Sequence, residues 1–293
     1  MSRFSSTEHN RRMDEIGACF RRGDFAAALS RCQEYLAMDA HWNVSYIAGQ
    51  CCRFMGRFGD AERHLRHSLA SGGEGDAAVH TALGIVLQQV GRDPESIQSF
   101  ERAVQIDPTN VIARNSLGLA LKLDGQIDRA HEQYSQAMLE LVASIIASSP
   151  NSPSQQIMPD PMSFDGVWLQ VVMTAVTRIA ARLNLDGVAW PTGEQAASRQ
   201  LERDFGGALY RTVQSPDGKR LLFIHPNLLN TVFHALRTTP VYCRLLNNLA
   251  AIYVARGDSS GARERLAESI AFTPAGYDYP DPRLALRDLD SSR

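Results

Sequence analysis

A spacing of 34 residues repeats through this chain and constrains its fold more than any other feature. Leu83–Gly84 returns as Leu117–Gly118, Leu87 as Leu121, Gly91 as Gly125, Phe100 as Tyr134 and Ala103 as Ala137. Self-similarity at a fixed period of this size marks a stack of supersecondary units, because one unit cannot bury its apolar face alone. A solenoid of this kind points to binding rather than chemistry.

Each unit reads as two helices. From Leu83 to Pro108, apolar residues fall at three- and four-residue steps on both sides of Gly91. Gly91 stops the first helix, and Pro94 fits the first turn of the next. Gly84, Ser96 and Ala103 are small where helices approach closely, and Phe100 supplies bulk between them. Asp107–Pro108 ends the second helix, because proline lacks an N–H and disfavours helix in the residue before it.

This pattern resembles the tetratricopeptide repeat. Residues 77–110 match it through Leu83, Gly84, Gly91, Phe100, Ala103 and Pro108, and residues 111–144 through Leu117, Gly118, Gly125, Ala130, Tyr134 and Ala137. Residues 243–276 match through Leu249, Ala250, Gly257, Ala262 and Pro274. Residues 42–75 match through Gly49, Gly56 and Ala61, and residues 9–41 through Gly23, Ala28 and Tyr35, with Glu15 where a buried leucine is expected. The resemblance implies an all-α fold: a right-handed superhelix of antiparallel helix pairs.

It also implies a concave groove, lined by the first helix of each unit, that accepts extended or helical peptides. Carried onto this chain, the lining is Asn43, Tyr46, Gln50 and Arg53, then Thr81, Ile85 and Gln88, then Asn115, Leu119 and Lys122. The last repeat adds Arg244, Asn247 and Asn248. Amide side chains pair with a peptide's N–H and C=O groups, and Arg53, Lys122 and Arg244 could hold a carboxylate. Relatives that clamp the C-terminal carboxylate of chaperones use Lys and Asn at set places on three successive first helices. Thr81, Ile85 and Leu119 interrupt that set here.

The period lapses between about residue 145 and residue 242. Residues 1–8 are expected to be disordered, 9–144 to form four repeats, and 145–164 to be a Ser/Pro-rich linker. Residues 165–242 read as one split repeat, with first helix 165–184 and second helix 226–237. An insertion at about 186–225 carries a polar helix from Pro191 and then a β-hairpin. The hairpin signal is alternation over 209–214, the turn Ser215–Pro216–Asp217–Gly218, and a β-leaning run from Arg220 to Ile224. An independent small α+β domain is the rival reading. Residues 243–276 form a last repeat, and 277–293 a tail or capping helix from Pro282 with Leu284, Leu286 and Leu289.

Candidate reaction centres are weak. Gly257–Asp258–Ser259–Ser260–Gly261 fits G-x-S-x-G, but a nucleophile elbow needs a strand before the serine, and a helix is expected there. His64 and His67 could share a helix face, with no third metal ligand near in sequence. His225 and His234 flank the insertion. Gly72–Gly73–Glu74–Gly75 lacks the Lys-Ser/Thr of a phosphate loop. Asp165, Glu194, Asp204, Asp217 and His225 are the titratable residues an enzyme in 163–240 would use. No metal or cofactor is expected.

Bulk properties agree with a binding module. The net charge of −2 gives no field for nucleic acid or membrane. Arginine outnumbers lysine 28 to 2, which fits codon bias in a GC-rich genome or, as the alternative, an arginine-reading surface for phosphate or carboxylate. The N-terminal residues show no apolar signal region, and no apolar run reaches membrane-spanning length. Cys19, Cys32, Cys51, Cys52 and Cys243 contain no C-x-x-C pair and read as reduced, buried thiols. The expectation is a non-catalytic, cytoplasmic, bacterial scaffold that binds a peptide or helix of another protein. The alternatives are a dedicated chaperone for a secreted or assembled subunit and an enzyme centred on 163–240. Self-association through an uncapped end is compatible with the sequence.

Overall fold

Helix pairs follow the 34-residue period. The structure is a computed structural model, and it describes residues 6–148, 167–190, 210–225, 228–273 and 281–291. The chain divides into two compact units, Met1–Gln133 and Tyr134–Arg293.

The first unit contains α1 (Ser6–Arg21), α2 (Phe25–Leu36), α3 (Trp42–Phe54), α4 (Phe58–Ala70), α5 (Ala77–Gln89), α6 (Asp93–Ile106), α7 (Val111–Leu123) and the start of α8 (Ile127–Ser148). Side chains open four of these helices, α3 through the His41 imidazole, which accepts the N–H of Asn43. Asp24 accepts the N–H of Ala27, Asp76 that of Ala78, and Asn110 that of Ala113, each satisfying a donor the helix leaves unpaired. Gly91 closes α5 with φ +74°, a left-handed conformation that glycine adopts without steric cost. Past it, the N–H of Arg92 returns to the carbonyl of Leu87 at 2.9 Å.

Within each pair the two helices lie close. A methyl group on Gly84 would stand 2.6 Å from the Phe100 ring, so glycine there lets α5 and α6 meet. Tyr35, Leu65, Leu87 and Phe100 are fully buried between helices. Neighbouring first helices also touch, α3 with α5 and α5 with α7.

Two expectations for this unit change. The helix begins at Ser6, inside the 1–8 segment expected to be disordered, and Glu8 pairs with Arg11 and Arg12 in its first turns. Ile16, not residue 15, supplies the buried side chain, at 1 % exposure. Glu15 turns outward to Arg11 and Arg31, at 2.9 and 2.8 Å.

The second unit holds the rest of α8, then α9 (Val167–Arg182), β1 (Gly187–Ala189), β2 (Tyr210–Gln214), β3 (Arg220–Ile224), α10 (Leu228–Arg237), α11 (Pro240–Ala255), α12 (Ser259–Phe272) and α13 (Pro282–Ser291). Helix α8 runs four residues into the expected linker, because Val142 and Ile146 are buried along its apolar stripe. The remainder of that linker and the polar helix expected from Pro191 lie outside the described residues. Helix α9 touches both α10 and α12.

The hairpin forms with Tyr210 opposite Ile224 and Gln214 opposite Arg220. Gly218, at φ +83°, turns the chain back, and its N–H reaches Ser215 O at 2.9 Å. A third strand joins it. β1 runs parallel to β3, giving the order β1-β3-β2, with Val188 opposite Leu222. Asn184 ends α9 at φ 54°, and Asp186 then fixes the strand start, its carboxylate accepting the Arg220 N–H at 2.7 Å. The inserted element is therefore a small three-stranded sheet rather than a hairpin alone. Among the described residues, no helix is long and apolar enough to cross a membrane.

Candidate protein interaction surface

The first helices of the first unit stand side by side and leave one face of each open. On α3 the buried residues are Val44, Ser45, Ala48, Gly49, Cys51 and Cys52. Helical periodicity then turns Asn43, Tyr46, Gln50 and Arg53 outward, and all four are half-buried. Three of them form a chain of bonds. Gln50 Nε2 donates to the Tyr46 hydroxyl at 2.8 Å, and Arg53 Nε donates to Gln50 Oε1 at 2.7 Å. The guanidinium lies 4.1 Å from the Phe54 ring centroid. Partial burial pulls its pKa below the ordinary arginine value.

Helix α5 is largely buried; Ala78, His80, Ile85 and Gln88 are half-buried and Gln89 is exposed. The Gln88 Nε2 group is buried and meets no hydrogen-bond partner among the described residues. Thr81 departs from expectation. It is buried at 7 % exposure, and its hydroxyl donates to the Ala77 carbonyl at 2.7 Å. A threonine on a helix can satisfy itself on the preceding turn, and here that removes it from the face.

On α7, Asn115, Leu119 and Lys122 are half-buried as expected. Ile112 and Leu123, not singled out in the sequence, are 62 % and 64 % exposed. They share one stripe with Leu119, because steps of seven and four residues return to the same helix face. The repeat register carries the signal that finds Ile112, which follows Asn43 by two units and one extra turn residue.

The remaining expected residues belong to α11 in the second unit. Arg244 is exposed. Asn247 and Asn248 line a cavity of about 580 Å³ bounded by α11, Leu266 of α12, and Pro282, Leu284 and Leu289 of α13. Asn248 is buried at 8 % exposure, a correction to its expected place on an open surface, since the α13 side of the cavity covers it. The Asn247 Oδ1 atom is buried with no hydrogen-bond partner among the described residues. Leu284 and Val254 form an apolar rim.

Several of the other candidate residues have structural partners. Ser259 opens α12 directly after helix α11, so the strand that a nucleophile elbow needs is replaced by a helix. His67 Nδ1 is bonded to Ser45 Oγ at 2.9 Å, while burial and Arg63 hold His64 below the ordinary histidine pKa. His225 is buried at the end of β3, and His234 is exposed on α10. Gly73–Gly75 forms one 3-10 turn leading into the Asp76 cap. Asp217 pairs with Lys219 at 2.8 Å in the hairpin turn, which lowers its pKa. Asp165, Glu194 and Asp204 lie outside the described residues. Among the described residues, no group of three or more His, Cys, Asp or Glu side chains could hold a metal ion. All five cysteines are unpaired and buried, and burial raises the Cys32, Cys52 and Cys243 thiols and pushes Cys51 up to about 12.

Residues 84–125 match the family described as TPR repeat. Comparison with curated proteins returns no match. Among solved structures, the chain is similar to YrrB, described as a TPR protein with an unusual peptide-binding site. The identity is 14 % over 95 % of this chain and 90 % of that one, with a TM-score of 0.51. MamA is similar at 21 % identity over 43 % of this chain and 74 % of its own, with a TM-score of 0.41. The second TPR domain of human RPAP3, in complex with an HSP70 peptide, is similar at 18 % identity over 37 % and 91 %, with a TM-score of 0.36. Residues 84–125 thus match the TPR-repeat family, and the helix pairs of the chain are stacked like those of TPR proteins.

Proposed function

We propose that this protein is a non-catalytic scaffold that binds a peptide or helix segment of another protein on the first-helix face of its first unit. The observation that carries the reading is the apolar stripe of exposed Ile112 and Leu123 with half-buried Leu119, beside polar side chains at Tyr46, Gln50, Gln88 and Asn115. Exposed apolar side chains beside half-buried amide side chains suit a partly apolar segment with an exposed backbone. The likeness in fold to YrrB, a protein with a peptide-binding site, supports the same reading. Five unpaired, buried thiols support a reducing, cytoplasmic setting.

A photo-crosslinking amino acid placed at Ile85 tests the proposal. The control position is Arg63, whose side chain is 70 % exposed on α4. Crosslinks to a discrete protein from Ile85 and not from Arg63, recovered by mass spectrometry, are the expected outcome. The same adducts from both positions, or adducts from Arg63 alone, would remove function from this face.

A further inference from the structure

The last repeat departs from its predecessors at positions that fill space. In the 34-residue register, Ala251 stands where Ile85 and Leu119 stand, and Val254 where Gln88 and Lys122 stand. A methyl group thus replaces a large side chain on α11, and Ala285 is equally small on α13. Between them lies the cavity of about 580 Å³, with an apolar wall of Ala250, Ala251, Val254, Leu266, Leu284 and Leu289. That volume falls within the range of small-molecule sites, about 300–1,000 Å³.

Helix α13 closes the cavity without filling it. Pro282 is buried, but Leu284 in the cavity wall is 57 % exposed, and Val254 across from it is 51 % exposed. Arg263 of α12 anchors the far end of α13, donating from Nε to Asp290 at 2.8 Å and from Nη2 to the Leu289 carbonyl at 3.1 Å. Side chains around a hollow lack the dispersion contacts of a packed core. An apolar body placed there supplies those contacts and removes apolar surface from water.

The polar groups of the wall are two amides, Asn247 and Asn248, and two carboxylates, Asp281 and Asp288. Among the described residues that line the cavity there is no Lys, Arg or His. An ionised carboxylate accepts hydrogen bonds and donates none. Asn247 adds a buried Oδ1 that meets no donor among the described residues. An unmet buried acceptor is costly, and a donor supplied from the cavity relieves that cost. Asp281 accepts the Arg283 N–H at 3.0 Å and Arg283 Nη1 at 3.4 Å, and a carboxylate has lone pairs for further donors. This wall disfavours an anion and suits a head group that carries both N–H donors and positive charge.

We propose that the cavity bounded by α11, α12 and α13 is a site for a small organic amine. An apolar body fills the space beside Ala251, Val254 and Leu284, and a protonated amine at its end donates to Asn247 and to the Asp281 and Asp288 carboxylates. The cavity lies wholly within the second unit, so the proposal stands apart from the first-helix face of the first unit.

The test uses the full chain with leucine and valine methyl groups labelled for NMR. The probes are phenylbutylamine, phenylbutanol and phenylbutyrate, which share a ring and a flexible stem. The amine is expected to shift the Val254, Leu266, Leu284 and Leu289 methyls and to leave those of Leu65, in the first unit, in place. It should bind at least about threefold tighter than the alcohol, with the carboxylate weakest, and the advantage should shrink in high salt. Asp281→Asn/Asp288→Asn should bring amine and alcohol to equal affinity. Ala251 is exposed, so Ala251→Trp places bulk in the cavity without crowding the core. That variant should abolish the shifts while the Leu65 methyls keep their native positions. Equal affinity for all three probes in the wild type would overturn the amine assignment. Amine shifts that survive Ala251→Trp, or that spread alike over both units, would overturn the site, as would the absence of shifts from every probe. Tighter binding of an acetylated leucine–lysine–leucine peptide than of the amine, read at the same methyls, would assign the cavity to a partner's lysine and overturn the small-molecule reading.

Discussion

One missing methyl group controls how closely α5 meets α6. A Cβ on Gly84 would stand 2.6 Å from the Phe100 ring, and that ring is fully buried. Gly84→Ala is therefore expected to destabilise the protein by about 1–3 kcal/mol through overpacking. Gly59, in helix α4, meets nothing within 4 Å and provides the control. Gly59→Ala should be neutral or stabilising by up to about 1 kcal/mol, through helix propensity alone. Urea unfolding midpoints at constant m-value separate the two. Equal midpoints would mean that Phe100 shifts freely and that the close approach is not required. Gly84 and Phe100 are both legible in the sequence as small and bulky positions of the repeat. Thr81 and Asn248 show the limit of that reading. Register places both on first helices, but a hydroxyl turned back onto Ala77 O and a neighbouring α13 bury them. Neither event has a periodic signature.

At the scale of elements, the entry into α3 depends on a titratable cap. The His41 Nδ1 atom accepts the Asn43 N–H at 3.3 Å, which requires an unprotonated nitrogen there. Burial, and then the His9 ring at 5.0 Å between centroids, hold the His41 pKa below the ordinary histidine value, with Asp39 opposing. The unfolded chain consequently takes up the proton at a higher pH than the folded one. The resulting stability is present above the unfolded histidine pKa, near 6.5 in model peptides, and is lost as pH falls through the folded value. Thermal midpoints should therefore drop between about pH 7 and pH 5. His41→Asn keeps a capping side chain without the titration, so its midpoint should fall less over that range. A residual slope should remain from His64, whose pKa is also lowered. Identical slopes in both proteins would exclude the cap as a cause. Glycine and proline punctuation marked the helix boundaries in the repeats well. β1 escaped notice because three residues are too few to show alternation, and α8 ran past its expected end because its apolar stripe continues into a Ser-rich stretch.

On the scale of the whole molecule, stability should divide between two units, since contacts in a stacked fold are mostly between neighbours. The cysteines report on this. Cys19, Cys32, Cys51 and Cys52 lie in the first unit and Cys243 in the second, all buried. In the native protein none should react with a thiol reagent, because burial removes access and raises the Cys32, Cys51, Cys52 and Cys243 thiols. In rising urea the four thiols of the first unit should become reactive together, at a midpoint different from that of Cys243, as peptide mapping of the labelled protein would show. A single shared midpoint would mean that the chain unfolds as one cooperative body. The sequence by itself determined the helix pairs, their period, the glycine turns and the hairpin, because each follows from local sterics and from apolar spacing within one unit. Tertiary structure alone decided which polar residues stay open, that β1 joins the hairpin through parallel pairing, and that α11 and α13 enclose a cavity. Those outcomes depend on side chains meeting across elements far apart in sequence, where a repeat pattern carries no information about what covers what.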